Sequence, residues 1–316
     1  MRTFSGLLGL LGCTLTACAT TLPDAAPYAA ASLQLRDAIA EGGRTTVQEL
    51  RRLQASSLAP DDAARLAESI GSLDSSWKTR IAALDAVVAY SESLQAIVDA
   101  GNTGDERVQE VASSLEGLAK AAGVVPVAGA VAEPIVEVSA FVYAKIARMR
   151  AAKELRTSLR EAVPAVERLG TVIGDDLEDL SETNAVALAS QASSLTTSHQ
   201  KGLAFRNRLV VERDALYAAE SLDAAQNEKL VALTALIVQT DDWYGPLQEQ
   251  LAAIRVRRAA SEQLFAAAQR GLASWVVGHS ELVEAIEAER ARGPSVQSVL
   301  SSAAEIKSLI ERIRAS

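Results

Sequence analysis

The chain is poor in the residues that most often carry chemistry. Its 316 residues include two cysteines, two histidines and two methionines, and aromatic side chains make up only 4%. Both cysteines, Cys13 and Cys18, lie near the N-terminus, so the body of the chain has no thiolate and no disulfide framework and must hold by packing alone. His199 and His279 each stand alone, with no histidine or cysteine at ligand spacing, and an isolated ring on a helix is expected on a polar surface. No nucleophile elbow, phosphate loop or dinucleotide fingerprint occurs. Gly123 and Gly129 flank a short loop, but no lysine follows directly to hold a phosphate. A diiron carboxylate bundle would carry Glu-x-x-His, whereas Thr196 and Val276 stand three residues before the histidines. The reading is therefore no catalytic residue, no metal ligand and no cofactor.

Positive charge is also short: 31 Lys and Arg face 40 Asp and Glu, for a formal net charge of −9. Such a balance argues against nucleic acid and against holding anionic lipid through charge. Few aromatics and abundant alanine leave little for a stacking pocket but suit closely packed helices. No useful stretch alternates with period two, which excludes a sheet protein.

What is present is helical periodicity. Residues 31–41 read as a first helix ended by Gly42-Gly43, and Thr46-Val47-Gln48-Glu49 is a capping box for a second that stops before Pro60. From Asp61, Leu66, Ile70, Leu73, Trp77, Ile81, Leu84, Val88, Leu94 and Val98 form one apolar stripe, up to Gly101-Asn102-Thr103-Gly104. A shorter helix carries Val108, Val111, Leu115 and Leu118. Pro134 opens a long segment that Pro164 is expected to kink. Gly174 starts another stretch, weakly periodic over 190–203 and therefore bent there, running to a break at Asp241–Pro246. Helix resumes from Pro246, and a last one spans 295–314 after Gly293-Pro294. The fold class is all-α: an elongated antiparallel helical bundle, or coiled hairpins with long helices.

The N-terminus carries an address. Met1-Arg2, an apolar run from Phe4 to Leu15 and the small pair Thr16-Ala17 make an export signal too short to span a membrane. Leu15-Thr16-Ala17-Cys18 resembles the lipobox of bacterial lipoproteins, position by position. The resemblance covers residues 1–18 and implies cleavage before Cys18, with lipid on its sulfur and on the new amino terminus. Ala19 in second place, rather than aspartate, resembles the pattern of lipoproteins sent to the outer membrane. Leu10-Leu11-Gly12-Cys13 is a poorer second lipobox, and an ordinary cleaved signal or no export stays open beside it. The organisation read from this is a signal peptide at 1–17, a tether at 18–30 and a helical domain at 31–316, with 31–59 as a small N-terminal helical hairpin.

Residues 121–144 are the most apolar part of the body, yet Glu133 and Glu137 lie inside them and the uncharged run is too short to span. The plainer reading is a buried crossover at the bundle's end. The sharper one is a surface for membrane or partner contact through Val124, Val125, Val127, Val131, Ile135 and Val136; helical pore-forming toxins are loosely similar in architecture. Asp175, Asp176, Glu178, Asp179 and Glu182 crowd an expected helix start, where acid favours the helix dipole more readily than it binds a cation. Asp241-Asp242 at a helix junction are read the same way, with Trp243 and Tyr244 pinning the turn.

The expected function is a non-enzymatic, membrane-anchored scaffold, spacer or partner-binding module of the bacterial envelope. It would meet the bilayer through acylated Cys18, face the periplasm from the outer membrane, and bind an envelope protein or its own copies. A membrane-active effector using 121–144 is the alternative. An enzyme of unrecognised type would need several carboxylates gathered with His199 or His279.

Overall fold

The computed structural model describes residues 24–56, 59–100, 155–288 and 295–316. Within them the chain is all-α, with α1 Ala26–Ala55, α2 Pro60–Ala100, α3 Leu155–Ser198, α4 Gln200–Tyr217, α5 Ala224–Glu287 and α6 Gln297–Ala315. Cys18, residues 121–144 and the helix expected around Val108–Leu118 lie outside the described residues.

Among the described residues, five helices form the body. Cross-links with opposed numbering set α1 against α2 (Ser32 with Ser91, Arg36 with Asp85), α3 against α5 (Arg160 with Glu287, Gln191 with Arg257) and α5 against α6 (Glu281 with Ser295, Arg270 with Glu305). Hence α1, α3 and α6 run one way, and α2 and α5 the other. The main core runs along this bundle through Ile39, Leu84, Leu177, Leu264 and Ile306, and a second cluster joins Val47, Leu50, Leu53, Ile70 and Ala187. Within the described residues, the core is built from the stripes read from the sequence, such as Ile70, Trp77, Leu84, Leu177 and Ile306, as amphipathic helices require to offset their ordering cost.

The breaks are placed differently. Gly42-Gly43 do not end a helix: α1 runs through them, so no hairpin forms within 31–59, and the tether gives way to helix by Ala26. The two glycines make room. A Cβ on Gly42 would meet Leu264 Cδ2 at 2.9 Å, and one on Gly43 would fall inside the Trp77 indole. Likewise α3 is continuous through Pro164 and Gly174, so 174 starts nothing; a Cβ on Gly170 would strike Val276. The bend expected in 190–203 is the turn at His199 between α3 and α4. The expected break at Asp241–Pro246 is absent, because α5 continues unbroken for 64 residues with Leu247 buried just beyond the proline. The chain turns instead at Ala218–Asp223, where Asp223 Oδ1 accepts from the Gln226 amide at 2.7 Å and Gln226 Oε1 accepts from that of Asp223 at 2.8 Å. That reciprocal cap is legible in the sequence, but Leu216, Leu222 and Leu230 carry the apolar stripe across it and mask the turn.

Candidate functional site

His279 is not a surface residue. It is fully buried on α5, its Nε2 lying 2.8 Å from the Tyr90 hydroxyl, with Tyr28 and Tyr90 rings tilted against it. Beside it Trp275 donates its indole N–H to Ser32 Oγ at 2.7 Å, Ser32 and Ser91 hydroxyls meet at 3.1 Å, and Tyr28 stacks on Trp275. Burial drives His279 down to about 4 and raises both tyrosines above their ordinary range. All partners are neutral, so these contacts join α1, α2 and α5 without stored charge. His279 Nδ1 alone has no partner there.

A charged lock sits further along. Glu49, wholly buried, accepts from Arg52 Nη1 on Oε1 at 2.5 Å and from Arg257 Nε and Gln191 Nε2 on Oε2 at 3.3 and 3.1 Å, and Arg257 Nε lies 3.1 Å from Oε1 as an ion pair. Gln191 Oε1 accepts from Arg257 Nη2 at 3.2 Å and closes the triangle across α1, α3 and α5. Asp176 lies mid-helix in α3, not at a helix start, and holds Arg80 of α2 through two bonds of 2.6 and 3.0 Å. Asp241 is also mid-helix and pairs with Arg206 at 2.8 Å. Glu49, Asp176 and Asp241 therefore act as cross-braces. Among the described residues no three His, Cys, Asp or Glu side chains group as metal ligands would, and no helix is long and apolar enough to cross a membrane.

The feature that leaves the body is an arm. Beyond the ends of α1 and α3, α4 packs chiefly on the first part of α5, with a core of Leu209, Leu233 and Ile237 flanked by Val210 and Leu216. At its base His199 stacks on Trp243 at 6.0 Å, Trp243 meets Tyr244 edge-on, and Arg206 lies 4.1 Å over the Tyr244 ring. Arg206 also donates to the Ile237 carbonyl at 2.9 Å. Trp243 and Tyr244 thus pin the root of the arm rather than a turn in the chain. Along it Val211, Tyr217, Val231 and Val238 are exposed, at 59, 63, 70 and 60%. Sequence reasoning missed these residues, since nothing local to α4 or α5 says which helices stay with the bundle.

No family model, curated protein or solved structure matches the chain.

Proposed function

We propose that this chain is a membrane-anchored helical lipoprotein of the bacterial envelope that acts by geometry, without catalysis. Cys18 carries the lipid, the five-helix bundle is a stalk, and the arm of α4 and α5 is the docking element for an envelope protein partner. The observation that carries this reading is the placement of the two ends. The first turn of α1, a few residues after Cys18, packs against Trp275 of α5. At about 1.5 Å per residue, the start of α5 at the arm's tip lies roughly 75 Å from Trp275 along one continuous helix. A lipid at Cys18 would fix one end and hold the exposed valines of the arm away from the bilayer. Stable anchoring needs more than one acyl chain, which a lipobox cysteine receives on its sulfur and its amino group. On this reading the protein faces the periplasm from the outer membrane.

The test is cross-linking in intact cells that express the full chain with a photoreactive residue in place of Tyr217 or Val238. The expected result is one reproducible envelope adduct from arm positions and none from the body, lost when Cys18→Ser releases the protein from the membrane. Unchanged membrane attachment of Cys18→Ser overturns the anchor. Adducts only from the body overturn the arm.

A further inference from the structure

Among the described residues, the arm presents two unpartnered faces of opposite charge. α4 meets α5 through Leu209 and Leu216, and at about 100° per residue Lys201, Ala204, Arg208, Val211 and Ala215 line the side of α4 that lies roughly 80–160° round the helix from Leu209, all exposed. The face of α5 turned away from Leu233 and Ile237 carries Ala224, Glu228, Val231, Ala235, Val238 and Asp242, also exposed throughout. Both sets recur at alternating steps of three and four, the spacing of a helix–helix seam. The charges of the α4 seam are basic and those of the α5 seam acidic. Neither Lys201 nor Asp242 has an ion-pair partner among the described residues.

We infer that these seams bind each other between copies of this chain, α4 of one arm lying along α5 of the next. The register is already set within one molecule by Lys229 with Glu212 and by Arg206 with the Ile237 carbonyl. A neighbour displaced sideways at the same height repeats that register. It brings Lys201 against Asp242, Val211 against Val231 and Ala204 against Val238. Because the α4 seam and the α5 seam are different surfaces, the contact is head-to-tail and leaves a free seam at each end of the row. Copies anchored alike on one membrane stand at a common height, the arrangement this contact needs. The inference rests on the arm being a docking element and names a second copy as its partner.

The test uses the full chain with Cys13→Ser and Cys18→Ser, so that introduced thiols are the only ones. One preparation carries Val211→Cys, another Val231→Cys, and they are oxidised with copper-phenanthroline in air, separately and mixed. Both positions are exposed, so neither change disturbs the core. A covalent dimer in the mixture and none in either preparation alone is the expected result. Monomer in the mixture, or a Val211→Cys dimer formed as readily without its counterpart, overturns it. Adding Lys201→Glu to the first preparation should abolish the dimer, and Asp242→Lys in the second should restore it; a dimer indifferent to both also overturns the seam. If this fails while arm positions still cross-link to another envelope protein in cells, the docking role stands and the second copy falls. If both fail, the arm has neither role.

Discussion

A histidine sealed among two tyrosines, a tryptophan and two serines has only its neutral form to offer. His279 is held down to about 4 by desolvation, against an ordinary value near 6.5, so the unfolded chain binds a proton that the folded one refuses. Unfolded-state binding exceeds native binding between about pH 4 and pH 6.5, and stability is lost as pH falls through that window. At about 1.4 kcal/mol per unit the loss is on the order of 3 kcal/mol. Denaturant melts at pH 6.5 and pH 4.5 should show it, and His279→Gln, which cannot protonate, should flatten the difference beyond what the carboxylates contribute. Equal pH slopes for the two proteins would show that His279 is not sealed. Gly43 tests packing further along α1, at its contact with Trp77 of α2. Any side chain there meets the Trp77 indole, so Gly43→Ala should cost about 1–3 kcal/mol despite the better helix propensity of alanine, read as a lower melting temperature.

At the scale of helices, apolar stripes were legible and their interruptions were not. Leu66, Ile70, Leu73, Trp77 and Leu84 report the inward face of α2 because periodicity is local. Gly42, Gly43 and Pro246 look like stops for the same local reason, yet all lie inside helices, since packing against partners distant in sequence outweighs the local preference. The burial of His279 is illegible in the sequence for a related reason: it depends on Tyr28 and Tyr90, from two other helices. The arm makes the point in reverse. Its turn is closed by the Asp223–Gln226 box, and its core is only Leu209, Leu233 and Ile237 with their flanks. Asp223→Ala should therefore cost about 1 kcal/mol locally. Amide exchange should quicken around Leu209 and Leu233 while the bundle core keeps its protection and its melting temperature. A uniform loss across both would mean that arm and body unfold as one unit.

The molecule as a whole is longer than its mass implies. A compact chain of 316 residues would have a radius of gyration of roughly 20 Å, and a sphere of that radius of gyration is only about 50 Å across. The 64 residues of α5 alone extend about 95 Å as one helix, and the core does not fold them back, because only the later part lies in the bundle. Small-angle scattering from dilute protein should give a maximum dimension of at least about 95 Å, the helical rise applied to α5. A value near that of the compact sphere would mean that the arm folds onto the body, which would cover its valines and remove both the spacer and the seam. The same measurement over a concentration series separates the two roles. Growth in mean mass with little growth in length is the signature of arms joining side by side. Growth along the long axis would instead place the contact at the arm's tip, around Tyr217, and leave the charged seams unused.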